Sequence, residues 1–249
     1  MNDWLKYSAR HNPEIDEKFH QLNLDNIADV IYWYEFFQMV RHVPGDIVEC
    51  GVGRGRSLIA ITALNTLLEL DEGGRRWVFA YDSFSGFPEP SKQDYSPRNP
   101  KAGDWAISPS GKYGYTPEFL KLVLANAGLA TDVLEHAGFK LTVRAGFFSE
   151  SLPTHPRRQI ALLHVDGDLY QSYRNCLDNL YPLVSPAGVI VFDDFLFKES
   201  TEENFPGARR AVKEFLGSAY ADLRCSHRGN TYYVKPPVAP RDRPLSVHG

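Results

Sequence analysis

The sequence predicts an α/β protein whose helices cover both faces of a mostly parallel sheet of seven strands. Three observations predict it. Short, almost continuous apolar runs recur along the chain and stop at glycine or aspartate. Segments with an apolar spacing near 3.6 lie between them. A turn-linked pair of short strands closes the pattern.

The runs come first. Asp46-Ile47-Val48-Glu49-Cys50 leads into Gly51, and Trp77 to Tyr81 stops at Asp82. Leu141-Thr142-Val143 ends near Gly146, Ile160 to Val165 ends at Asp166, and Gly188 to Phe192 ends at Asp193. Strands buried on both faces need this character, whereas a sheet with one wet face alternates. Ser57 to Leu70 and Tyr170 to Leu183 carry the helical period between strands, which implies right-handed crossovers. Ala208 to Ala219 reads as a last helix. After it, Leu223–Ser226 and Thr231–Val234 flank Arg228-Gly229-Asn230, whose turn chemistry predicts an antiparallel hairpin.

The chain of 249 residues fits one domain, expected over 1–236. Residues 1–44 read as an N-terminal helical cap, its aromatics around Ile31–Phe37 packing over a site or a partner. Residues 86–137 read as a lid or insertion, with Trp105, Tyr113 and Tyr115 among Gly, Pro and Ser. Residues 237–249 read as a Pro-rich tail.

Composition excludes several classes. With 43% hydrophobic and 23% charged residues, the chain reads as globular and not as disordered. No apolar run approaches the roughly 18 residues of a membrane helix, and Met1–Lys6 lacks the pattern of a signal peptide. A net charge of −4 with only isolated arginine pairs argues against nucleic acid. Three scattered cysteines favour a reduced, cytoplasmic setting.

Two constellations carry chemistry. Glu49 to Ser57 joins the first strand to its helix, and Gly51, Gly53 and Gly55 let the backbone turn and a ligand approach. The spacing is G-x-G-x-G, not the G-x-G-x-x-G of a dinucleotide loop, and Arg56 is too bulky for close helix–strand packing. Asp82 ends the next strand, where a carboxylate accepts from both ribose hydroxyls or caps a helix. The second constellation is Asp166 with Asp193 and Asp194, at the ends of strands expected about 4.8 Å apart. Carboxylates this close either share a compensating cation or leave one of them protonated with a raised pKa, and an all-oxygen set suits Mg²⁺. Asp168 reads either as a general base or as the cap of the helix beginning near Tyr170. His164, inside an apolar run, reads as a packed histidine.

These segments resemble the macrocin O-methyltransferase family. The resemblance rests on Asp46–Gly55, Ala80-Tyr-Asp-Ser-Phe-Ser-Gly-Phe-Pro and Gly146-Phe-Phe-Ser-Glu-Ser-Leu-Pro. Val165-Asp-Gly-Asp-Leu-Tyr, Val191-Phe-Asp-Asp-Phe and Gly207-Ala-Arg-Arg-Ala-Val complete it, in matching order from about residue 25 to 235. The resemblance implies a class I methyltransferase, Rossmann-like fold and an S-adenosylmethionine- and Mg²⁺-dependent O-methyltransferase that releases S-adenosylhomocysteine. Its acceptor would be a small molecule with a free hydroxyl, such as a sugar of a natural product or a nucleotide sugar. Asp166, Asp193 and Asp194 would hold Mg²⁺, and Asp166 and Asp168 would serve catalysis. Glu49, Gly51, Gly53, Gly55, Arg56 and Ser57 would cradle the methionine end, Asp82 and Ser83 the ribose side, with Gly146 and Phe147 nearby. The family commonly has Trp where Gly53 stands and a small residue where Arg56 stands. Homo-oligomers are expected. The rivals are an NAD(P)-dependent oxidoreductase, which leaves the aspartates unused, and a non-catalytic small-molecule-binding protein, which would have let them erode.

Overall fold

A computed structural model describes residues 24–68, 76–200 and 203–237. Seven strands form one sheet in the order β3-β2-β1-β4-β5-β7-β6. They are β1 (Asp46–Cys50), β2 (Trp77–Asp82), β3 (Lys140–Ala145), β4 (Ile160–Val165), β5 (Val184–Leu196), β6 (Arg224–Cys225) and β7 (Asn230–Val234). β1 to β5 run parallel, while β7 is antiparallel to both β5 and β6. The chain starts in the middle at β1, builds outward to β3, then returns to β4 on the other side. That reversal leaves a crevice beyond the carboxyl ends of β1 and β4, where open α/β sheets bind ligands.

Alternation along the strands sorts the core into two layers. Ile47, Val78, Leu162 and Val191 face helices α1 (Leu24–Met39), α2 (Arg56–Leu67), α3 (Pro117–Asn126) and α4 (Thr131–His136). Val48, Phe79, Leu163 and Phe192 face the other way. Over them lie α6 (Tyr170–Leu180) and α7 (Pro206–Leu216), after the single turn α5 (Phe148–Ser151).

The N-terminal aromatics of α1 are core residues, with Tyr32, Trp33, Phe36 and Phe37 at most 3% exposed. Of the expected cap, residues 1–23 lie outside the described residues, as do 238–249 of the expected tail. Within 86–137, residues from Pro117 onward form α3 and α4, which bury Leu120, Leu124 and Leu134. Thr116 caps α3 through Phe119 N with Pro117 at its start, a helix signal inside a stretch dominated by loop residues. β5 runs four residues past Phe192, so Asp193 and Asp194 sit within a strand and not just after it.

Candidate active site

The glycine loop is shaped by two close approaches. Gly51 has φ +93°, and a Cβ there would stand 1.7 Å from the Asp166 carbonyl oxygen. The first loop and the end of β4 therefore touch only because residue 51 has no side chain. Gly55 packs against Leu120, whereas Gly53, at φ +51°, has nothing within 4 Å of a Cβ.

Carboxylates hold the loop. Asp82 Oδ2 accepts from Val52 N (2.8 Å) and Gly53 N (2.9 Å), and Oδ1 accepts from Phe84 N (2.7 Å). Three of the roughly four lone-pair sites of Asp82 are thus in use. Beneath the loop, Glu49 is fully buried; its Oε1 accepts from Ser57 Oγ and faces His164 Nδ1 at 3.1 Å. Among the described residues, Glu49 Oε2 has no hydrogen-bond partner.

Loop and acids open onto one cavity of about 1050 Å³. Gly51, Gly53, Arg56, Ser57, Asp82, Ser83 and Phe147 line it. Glu49 and Gly55 lie behind the loop, and Gly146 faces a separate shallow hollow beside Arg144. Ser83 Oγ donates to Gly86 O at 2.7 Å, and Arg56 pairs with Asp29 of α1.

The acids divide between the two faces of the sheet. Asp166, Asp168 and Asp194 each offer an oxygen within 4.8 Å of the other two. Asp194 Oδ2 accepts from Gly167 N (3.1 Å) and Asp168 N (2.8 Å). Asp193, expected from the sequence beside Asp166 and Asp194, lies outside this trio. Adjacent residues of a strand point to opposite faces, so Asp193 turns toward α1 and Asp194 toward α6. Register explains the rest. Glu49 pairs with His164 and His164 with Val191, two residues before Asp193, so the three polar side chains share a face. His164 Nε2 stands 3.9 Å from Asp193 Oδ1, beyond hydrogen-bond length, and Trp33 meets its ring edge-on at 4.7 Å. Asp168 does not cap α6; it adopts φ +57°, inside the acidic trio.

Electrostatics follow this division. Burial, reinforced by the charges of Asp193 and Asp194, raises the Asp166 carboxyl well above its usual range. Burial and the charges of Asp194 and Asp166 do the same for Asp168. Burial and Asp193 push Asp194 up to about 6. Asp193 goes the other way: its partial desolvation would raise it, but His164 and Arg228 hold it low. Burial opposes charge on His164, yet Asp193 and Glu49 keep its imidazole well above the ordinary histidine range. Three acids repelling one another around one point form a donor set that suits a hard cation.

Sequence reasoning missed Asp29, Arg228, Asn230 and Phe205, which line the same cavity. They come from a helix, the closing hairpin and a loop far apart in the chain, where no short motif joins all four. Tyr32 and Trp33 also line it, inside the aromatic stretch that pointed to a packed helix.

A parallel sheet closed by one antiparallel strand, with a glycine loop and strand-end carboxylates around a common crevice, defines a class I O-methyltransferase fold. The chain belongs to the macrocin-O-methyltransferase (TylF) family, whose model matches residues 24–217. It is 32% identical over 177 residues to demethyldecarbamoylnovobiocin O-methyltransferase of Streptomyces niveus, covering 70% of this chain and 59% of the relative. It is 34% identical over 156 residues to the 8-demethyl-8-(2,3-dimethoxy-α-L-rhamnosyl)-tetracenomycin-C 4′-O-methyltransferase of Streptomyces olivaceus, covering 61% and 54%. The matches thus span under two thirds of those relatives' lengths. The crystal structure of a calicheamicin methyltransferase superposes with a TM-score of 0.71 at 25% identity, covering 93% of this chain and 90% of that one.

Proposed function

We propose that the protein is an S-adenosylmethionine- and Mg²⁺-dependent O-methyltransferase acting on a hydroxyl of a small molecule, a sugar of a glycosylated natural product or a nucleotide sugar. One observation carries the reading: the glycine loop and the carboxylates face a single cavity large enough for a nucleoside cofactor and an acceptor together. The names of the relatives support the substrate class, since one methylates a rhamnosyl group.

In this reading, Glu49 to Ser57 receive the methionine end, Glu49 from behind the loop, and Asp82 holds the ribose with Ser83 beside it on the cavity wall. Phe147 lies against the cofactor, with Gly146 setting the turn before it. Asp166, Asp193 and Asp194 hold the cation, Asp193 from the α1 face, where its side chain is 45% exposed. Bound there, a divalent ion supplies a positive centre that favours ionisation of a hydroxyl. Asp168 stands at the acids in a turn of its own and takes the hydroxyl proton. Positioning of the methyl donor against the oxygen supplies much of the acceleration. The single domain expected over 1–236 is kept in this reading, its described residues sharing one sheet. Ile27, Ile31 and Tyr34, exposed on one stripe of α1, support pairing with a second copy. Buried free thiols at Cys50 and Cys176 support a reducing, cytoplasmic setting. Among the described residues, no helix is long and apolar enough to cross a membrane.

Isothermal titration with S-adenosylmethionine, S-adenosylhomocysteine and NAD, with and without Mg²⁺, tests the reading. Micromolar binding of the adenosyl ligands without NAD binding is the expected result. Binding of NAD alone would overturn it in favour of an oxidoreductase.

A further inference from the structure

Asp94 lies in the long connection between β2 and α3, yet it is only 2% exposed. Its Oδ2 accepts from Ser91 N (2.7 Å) and Ser91 Oγ (2.6 Å), which closes a short turn. Its Oδ1 accepts from Tyr170 N at 2.6 Å, across 76 residues of sequence. Tyr170 is the first residue of α6, and no side chain at the helix start caps it. The first amides of a helix need acceptors, and a carboxylate suits that end of the dipole. α6 takes its acceptor from the loop.

A third segment closes the junction. A Cβ on Gly207, near the start of α7, would stand 2.0 Å from Asp94 Oδ1 and 2.9 Å from Tyr170 N. Only glycine leaves room for that bond. Ser96 Oγ adds a bond to Asn204 O at 2.7 Å, and Phe87 meets Phe205 edge-on at 6.0 Å. The connection, the start of α6 and the start of α7 are therefore fixed together at one buried carboxylate.

Two residues before Tyr170 stands Asp168, held at φ +57°. A side chain in that region costs free energy and persists only where its surroundings fix it. Asp194 holds the amides of Gly167 and Asp168 on one side of the turn, and Asp94 holds the amide of Tyr170 on the other.

We infer that Asp94 is a positioning residue for the acidic site: it clamps the Asp166–Tyr170 turn and sets the loop wall of the cavity against the carboxylates. The inference rests on the methyltransferase reading for its purpose, though the clamp itself does not. Asp94→Ala removes both halves of the clamp. Asp94→Asn keeps an acceptor for Tyr170 N but turns an amide toward the Ser91 N–H, so it restores the α6 half alone. Gly207→Ala pushes a methyl group against the Asp94–Tyr170 bond while keeping the carboxylate itself.

Each variant is compared with the wild type in Mn²⁺ affinity, S-adenosylmethionine affinity and amide exchange over residues 167–171. Asp94→Ala is expected to weaken Mn²⁺ at least fivefold and speed exchange at least tenfold. Cofactor affinity should stay within twofold, because Asp82 and Glu49 hold the first loop independently. Asp94→Asn should recover most of the exchange protection, and Gly207→Ala should resemble Asp94→Ala. If Asp94→Ala does not fold, the other two variants decide by the same readouts. Unchanged Mn²⁺ affinity and exchange, or an equal loss of both ligands, would overturn the clamp. A wild type that binds neither ligand would instead overturn the methyltransferase reading, and exchange would still judge the clamp.

Discussion

Gly51 and Gly53 stand two residues apart in one loop and answer to different constraints. Gly51 is enclosed by the Asp166 carbonyl and sits at φ +93°, so an added methyl group meets backbone that cannot step aside. Gly51→Ala should cost about 2–4 kcal/mol, from strain and overpacking together, and weaken S-adenosylmethionine at least tenfold. Gly53→Ala should cost about 1 kcal/mol, because its φ of +51° is tolerable and its surroundings are open. Urea denaturation and titration of both variants check the contrast; equal losses would mean the loop is a single rigid piece. The same scale separates Asp193 from Asp168. If Asp193 is a cation ligand and Asp168 the base, Asp193→Asn should weaken Mn²⁺ at least tenfold. Asp168→Asn should keep Mn²⁺ within threefold, and the reverse pattern would exchange their roles. The sequence made both residues legible as candidates through strand-end spacing. It did not show that neighbouring aspartates face opposite sides, because that depends on β5 continuing past Phe192.

Elements were legible where their signal is local. The apolar runs located β1, β2, β4 and the middle of β5, and the turn residues located the closing hairpin. α3 and α4 were not legible, because a loop rich in Gly, Pro and Ser precedes them and their caps are single residues. The cap of α6 was beyond reach for a stronger reason: its acceptor lies 76 residues away. Packing between elements also fixes a pH dependence. His155, 7% exposed after the short turn that follows α5, has its Nδ1 2.6 Å from the Tyr81 hydroxyl of β2. Burial, then the charge of Arg144, lowers its pKa to about 4. The unfolded chain takes up this proton near pH 6.5 and the folded chain only near 4. Between those values the unfolded state binds more protons, so stability falls as pH falls. The loss should reach up to about 3 kcal/mol by pH 4 and level off below. Denaturation of the wild type and His155→Gln at pH 7, 5.5 and 4.5 checks it: the difference between them should shrink toward acid pH. A constant difference would mean that burial leaves the proton uptake of His155 the same in the folded and unfolded chains.

Across the whole molecule, α1 closes the cavity on the side away from α6, and two kinds of force hold it there. Tyr32, Trp33, Phe36 and Phe37 are buried, each contributing roughly 2 kcal/mol of apolar burial. Asp29 adds ion pairs to Arg56, at the start of α2, and to Arg228, in the turn between β6 and β7. Those guanidiniums are 42% and 39% exposed, so each pair should stabilise the fold by less than about 1 kcal/mol. Their effect on the site is larger than on the fold, since Asp29, Arg56 and Arg228 all line the cavity. Asp29→Asn should therefore shift the melting temperature by no more than about 4 °C. It should still weaken S-adenosylmethionine about fivefold at low salt, because two arginines lose the partner that orients them. At 1 M salt, where screening acts over about 3 Å, most of that difference should vanish. Calorimetry at two ionic strengths reads both effects. A large fall in stability with no change in cofactor affinity would show that α1 is held to the fold by charge, and that its aromatic face is secondary.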